Sequence, residues 1–396
     1  MTAEPSPTPS LILTNPTDLL AAVPYLFGFH PAKSLVALGI SGTELRIAAR
    51  WDLPLPPHAL DPLIPATDRE ALTHLLAVGY GPGPLVTPAI DTLRTLSTQT
   101  GLPVAEALRV EDGRYWSYLC DLTTCCPPDG SPYDPKAAQV AAEATVQGLV
   151  AHPDRATLQR TLAPYDGPLR LAMRTATTDA ATTLTTRITA GAPASTPPTD
   201  PPNSPSTKPK PASPPTTQAA APAPAPGTEL EVTDAFAATY VAEALSRIRK
   251  AMASATTGPR LTDHEAAQLG FDLAIIRVRD EAWTAMDVQA HLPLWRDLTR
   301  RLEPRFVPPA ASLLAMAAWR SGDCVLASLA VERALTINPY YSMAGLIRHA
   351  LVHMMSPSAL RDRMPTPADL DRSMGPPNRL WMTPMLALLT SEDATS

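Results

Sequence analysis

Between Pro193 and Pro226 the chain places 13 prolines in 34 residues, with Ala, Ser and Thr supplying most of the rest and no aromatic side chain. Proline fixes φ and lacks an N–H, so such a stretch builds neither a helix interior nor a sheet ladder. It carries too little apolar surface to offset the entropy of ordering. The expectation is a disordered, partly polyproline II tether reaching at most ~105 Å at ~3.1 Å per residue. Its PAPAP end has the composition of a spacer, and no arginine flanks it in the register that an SH3-type ligand uses. The chain then divides into a disordered lead (1–10), a first domain (11–190), a linker (191–228) and a second domain (229–390).

The first domain mixes helix and strand signals. Asn15-Pro16-Thr17-Asp18 reads as a helix start, with Asp or Thr as the cap, followed by Leu19, Leu20, Val23, Leu26 and Phe27 at helical spacing. Gly28 ends that helix. Leu35–Ile40 and Glu44–Trp51 form a hairpin around a Ser41-Gly42 turn. Leu72–Val78 reads as a buried strand and Gly79–Pro84 as a turn. A helix over Leu85–Thr98 follows, then strands over Val104–Val110 and Arg114–Cys120 around Glu111-Asp112-Gly113. Helices over 136–151, 154–163 and 169–188 are expected to cover the sheet. The fold class implied is an α/β lobe with a mixed sheet.

From Glu229 onward only helical periodicity appears. Phe236, Val241, Leu245, Ile248 and Met252 make one apolar stripe. Further helices are expected over 263–286, 292–302, 312–319, 323–336 and 341–355. Ala315, Ala327, Ala334 and Pro339 occupy the small-residue and helix-ending positions of a tetratricopeptide-like unit. One full unit matches, so this half reads as one or two helical hairpins of that style.

Composition narrows the function classes. The net charge of −6 splits into about −5, +1 and −2 over the first domain, linker and second domain, so no part is drawn to phosphate backbones by charge. Nucleic acid is therefore not the expected partner. Arginine outnumbers lysine by 27 to 5, which looks like coding bias more than a binding surface. Residues 1–10 lack the charged start and apolar run of a secretory signal. No stretch approaches the ~20 apolar residues of a membrane helix. With four cysteines in 396 residues, a disulfide-rich secreted scaffold is excluded and the cytoplasm is the expected compartment.

Chemistry-bearing residues gather in Leu108–Asp134. Cys120, Cys125 and Cys126 fall within seven residues. Thiolates bind zinc, but C-x4-C-C is not the paired C-x2-C spacing, a fourth ligand is missing locally, and adjacent cysteines tend to point apart. Small buried hydrophobes, a Cys120–Cys125 disulfide and a nucleophile stay open beside zinc. A Cys–His hydrolase would draw on Asp121 and on His30, His74 or His152, with nothing in the spacing to choose among them. Gly79, Gly81 and Gly83 could cradle a phosphate between strand and helix, although Pro82 and Pro84 remove two donors and a turn needing positive φ explains the glycines more simply. Arg114, Trp116 and Tyr118 share one strand face, either a ligand surface or a face packed under a helix. Arg296, Arg300, Arg301 and Arg305, interleaved with Asp297 and Glu303, read as a solvated helix face.

Leu19–Ile40, Arg46–Pro54, Leu108–Asp134 and the helical segment GDCVLASLAVERALTINPYYSMAGLI together resemble the actinobacterial family known as domain of unknown function 4192. The resemblance spans most of the chain outside the lead and the tether. It implies a cytoplasmic bacterial protein and carries no activity, cofactor or site residue with it. The expected role is a non-enzymatic protein-interaction or scaffolding protein. The alternative is a small-molecule binder or hydrolase with a site near Cys120–Cys126, Gly79–Gly83 and His30, zinc being the only cofactor that the residues suggest.

Overall fold

The structure, a computed structural model, describes residues 13–135, 138–191, 230–255, 258–360 and 363–390. The expected lead and the Pro193–Pro226 tether lie outside the described residues. The front half is α/β, built on a six-stranded mixed sheet, and among the described residues from Leu230 onward every regular element is a helix.

The sheet order is β2-β1-β3-β4-β5-β6, with β1 Ser34–Ser41, β2 Glu44–Asp52, β3 His74–Tyr80, β4 Val104–Glu111, β5 Arg114–Ser117 and β6 Ser131–Pro132. Only β3 and β4 run parallel; every other neighbouring pair is antiparallel. That one parallel pair needs a crossover, which α3 (Gly83–Thr100) supplies. The β1–β2 turn is Gly42-Thr43 and not Ser41-Gly42, because Ser41 already pairs with Glu44. Asp112 and Gly113 turn β4 into β5 with φ of 48° and 71°, the mirror-type geometry that suits a two-residue hairpin.

The two faces of the sheet carry different covers. Leu35, Ala37, Leu75, Ala77 and Ala107 face α3 and α2 (Leu63–Arg69), meeting Val86, Ile90 and Leu93. Val36, Leu38, Val78, Tyr80, Leu108 and Val110 face α1 (Pro16–Phe27), meeting Leu20, Val23 and Phe27. This strict alternation is the period-2 pattern of strands buried on both faces. The cap of α1 is Asn15, whose side chain accepts from the Asp18 N–H, and not Thr17 or Asp18 as the sequence suggested; Gly28 at φ 72° closes the helix as expected. Gly79 lies inside β3 and not in a turn. A Cβ there would come within 2.1 Å of Val86, so the glycine serves close helix–sheet packing.

Two compact units arise, and neither follows the order of the chain. One joins Met1–Gly167 with Met286–Met364; the other joins Pro168–Ala285 with Pro365–Ser396. The first thus holds the sheet, α4 (Gln139–Val146), α5 (Arg155–Arg160), α10 (Val288–Arg301), α11 (Val307–Arg320), α12 (Cys324–Ile337) and α13 (Ser342–Val352). The expected divisions at 190 and 229 group these elements differently, by sequence order. Helix α11 is the hub of this helical part, buried at every residue from Val307 to Trp319. It connects to α12 through Ser321-Gly322-Asp323, a link short enough to force an antiparallel hairpin. Val325 packs on the α1 side of the sheet core and Met354 on the α3 side. Arg155 bonds Glu332 at 2.5 Å, and the Arg69 guanidinium donates to the Met354 carbonyl at 2.5 Å.

The second unit holds α6 (Gly167–Gly191, from Pro168 on), α7 (Asp234–Ser254), α8 (Asp263–Leu273), α9 (Ile276–Thr284), α14 (Pro367–Met374) and α15 (Thr383–Thr390). The single helix expected over 263–286 is two, parted at Ala274-Ile275. Asp272, 0% exposed, accepts from Arg247 at 2.8 and 2.9 Å and from the Tyr240 hydroxyl at 2.9 Å. Arg277, 1% exposed, donates to Glu281 at 2.8 Å and to Asp371 at 2.7 Å, while Arg249 reaches Glu281 at 2.6 Å. Buried charges of this kind persist only when paired and hydrogen-bonded.

Candidate functional site

The thiol loop is the excursion between β5 and β6, residues 118–130. Three contacts anchor its C-terminal end to β5. Arg114 donates to the carbonyls of Asp129 and Gly130 at 3.2 and 2.8 Å. The Trp116 indole N–H donates to the Pro128 carbonyl at 2.9 Å. Gly130, at φ 77°, lies flat on the Trp116 ring, where a Cβ would come within 2.5 Å. Arg114 and Trp116 therefore act as clamps on this end of the loop.

Inside the loop the backbone turns tightly. The N–H groups of Cys125 and Cys126 both donate to the Leu122 carbonyl, at 3.2 and 2.8 Å. That turn brings both side chains toward Cys120, contrary to the expectation that adjacent cysteines would point apart. The Sγ atoms of Cys120, Cys125 and Cys126 all lie within 4.8 Å of one another, and Cys120 and Cys125 are 3.1 Å apart. All three are free thiols, Cys125 exposed and the other two half-buried. Hydrogen bonds from Cys125 and then Cys126 hold the Cys120 thiol below its ordinary range. Cys126 is pushed up to about 12, mainly by its hydrogen bond to Cys120.

No histidine or carboxylate joins the three thiols within that span among the described residues. His30 is exposed and its N–H donates to the His152 carbonyl at 2.9 Å, beside a Phe29–His152 bridge. Asp121 is exposed and outside the thiol group. The arrangement of thiolate, base and orienting carboxylate that a Cys–His hydrolase needs is not assembled here. Of the three glycines proposed as a phosphate cradle, Gly79 is a packing residue, Gly81 alone has positive φ (133°), and Gly83 opens α3.

Arg109 was not singled out from the sequence, yet it links two of the proposed regions. Its guanidinium stacks 3.7 Å over the Trp116 ring, bonds Glu111 at 2.6 Å, and lies 3.9 Å from where a Cβ on Gly83 would sit.

A second feature lies in the helical part of the same unit. Between α12 and α13 opens a groove of about 470 Å³ lined by Val331, Leu335, Leu351 and Val352, with Glu332 and Arg348 at its rim. Glu332 already takes Arg155, whereas Arg348 makes no hydrogen bond or ion pair among the described residues.

Comparison with known proteins adds a family and no activity. A family model described as domain of unknown function (DUF4192) matches residues 16–208 and 200–358. The chain belongs to this family. No curated protein and no solved structure matches. The two matched segments together take in the sheet, the thiol loop and the helices through α13. No helix among the described residues is long and apolar enough to cross a membrane.

Proposed function

We propose that the chain is a non-enzymatic protein-interaction protein whose docking surface is the α12–α13 groove. The observation that carries this reading is the rim charge. Arg348, the cation lining this apolar trough, makes no hydrogen bond or ion pair among the described residues, while Glu332, also in the lining, already bonds Arg155. A groove between paired helices accepts the apolar face of a partner helix. The occupant that fits is a short amphipathic segment with two or three leucine-like anchors and a carboxylate placed to meet Arg348. His30 and Asp121 lie outside the thiol group, which favours this reading over a hydrolase.

The test uses the full chain and two series of synthetic amphipathic helical peptides, identical except for Glu or Lys at the rim position, followed by fluorescence anisotropy. The Glu series should bind, at least roughly tenfold tighter than the Lys series. Leu335→Asp should abolish that binding and Arg348→Glu should reverse the preference. Equal binding of both series to wild type and to Leu335→Asp would overturn the reading.

A further inference from the structure

The geometry points to a second, independent site: Cys120, Cys125 and Cys126 hold one thiophilic d10 cation, Zn2+ in the first instance, through their three Sγ atoms. Four features of the loop carry this.

The first is size. Zinc bound by thiolate at about 2.3 Å in a tetrahedron sets its sulfurs about 3.8 Å apart. The Sγ atoms of Cys120 and Cys125 are 3.1 Å apart here, and no two of the three are separated by more than 4.8 Å. The required separation falls within that interval, so small side-chain rotations suffice.

The second is preorganisation. The Leu122 carbonyl collects two backbone N–H groups and the Cys125 thiol at 3.5 Å, and the Ser131 hydroxyl holds the Cys125 carbonyl at 3.3 Å. Outer contacts of this sort orient ligands before the ion arrives. Arg114, Trp116 and Gly130 close the loop behind them, so the thiols stay grouped with nothing between them.

The third is protonation. Metal binding by thiols is coupled to their deprotonation: each Sγ that binds releases its proton to solvent, and no oxidant or reductant takes part. The divalent ion then offsets two of the three thiolate charges.

The fourth is the donor set. Sulfur-only ligation selects zinc or monovalent copper over magnesium, calcium or manganese. The chain has eight histidines and a fourth cysteine, Cys324, and none of them joins the trio. Three protein ligands leave the fourth position of a tetrahedron to water or an external donor, as in sites where the ion exchanges or reacts.

The test takes the full chain, reduced and stripped with a chelator, and titrates Zn2+ against a competing fluorescent zinc indicator, with native mass spectrometry for stoichiometry. One zinc per chain should bind. Each single change Cys120→Ser, Cys125→Ser and Cys126→Ser should weaken it by at least about a hundredfold, while Cys324→Ser leaves it unchanged. Circular dichroism of the metal-free variants should match wild type, since the loop lies at the sheet edge. Three outcomes overturn the proposal. Wild type with three titratable thiols takes up no zinc; the triple serine variant keeps its zinc; or the reduced chain closes a Cys120–Cys125 disulfide, two mass units lighter, in preference to taking zinc that is already present.

Discussion

Two regions of this molecule gather polar side chains tightly, and they do so in opposite ways. In the second unit, Asp272, Arg277 and Glu281 are buried and each meets an opposite charge within 2.9 Å. In the thiol loop, three donors of one kind meet each other at the surface, with neither a base nor a counter-charge in their midst. The first cluster is closed. Its chemistry is consumed by pairing, and what it supplies is a fixed arrangement of α7, α8, α9 and α14. The second cluster is open, and its grouping gains the chain little stability. Convergent soft donors with no internal partner imply one from outside, whereas satisfied buried charges do not.

If that contrast is right, the largest effect belongs to the closed cluster. Asp272→Ala leaves the Arg247 guanidinium and the Tyr240 hydroxyl facing each other without their shared acceptor. Denaturant unfolding should show a loss of about 3–5 kcal/mol, the cost of breaking one side of a buried pair. A loss below about 1 kcal/mol would mean that the network is no more than a surface ion pair. Zinc binding by the same variant should be unaltered, since the two clusters share no residue.

Next comes the loop clamp. Gly130→Ala drives a methyl into the Trp116 ring at a left-handed φ, and should destabilise the chain by about 1–3 kcal/mol. It should also weaken zinc binding by about 10–100-fold, the usual cost of disturbing the shell around ligands. Zinc affinity unchanged in this variant would show that the thiols group without the clamp. Trp116→Phe is gentler. It removes the N–H bond to the Pro128 carbonyl and keeps a ring under Arg109, so thermal unfolding should register about 0.5–1.5 kcal/mol.

The smallest effect is the acid response of the closed cluster. Burial pushes the Glu281 carboxyl up, but hydrogen bonds from Arg249 and Arg277 outweigh it and hold the group below its ordinary value. A carboxyl depressed in the folded state contributes stability above its unfolded pKa, about 4.3, and loses it as the pH falls through the folded value. Stability should therefore decline below about pH 4.3, and Glu281→Gln should flatten that part of the curve. An unchanged slope would remove Glu281 from the linkage.

The sequence disclosed what is local. The β4–β5 hairpin was legible because Asp112-Gly113 has the turn chemistry that its geometry demands, and the helix stop at Gly28 because only a residue tolerant of positive φ closes α1 so tightly. The three thiols were visible as a group, but not their convergence. That depends on a turn around one carbonyl, Leu122, which no side-chain pattern announces. The glycines at 79–83 misled for a related reason. A strand glycine kept for close packing and a turn glycine kept for its φ look alike as letters, and Gly79 is the former. The grouping of helices 288–352 with the sheet was illegible, since it rests on contacts such as Arg155–Glu332 between residues far apart in the chain. Arg277 and Glu281 share a helix at a spacing of four, yet the second partner of Arg277, Asp371, comes from α14, about ninety residues on.

The thiol loop is judged most directly by X-ray absorption at the zinc edge of the loaded full-length chain. The prediction is three sulfur neighbours at about 2.3 Å and one lighter atom. A shell made only of nitrogen and oxygen, or one of four sulfurs drawn from two chains, would contradict a single-chain site formed by Cys120, Cys125 and Cys126.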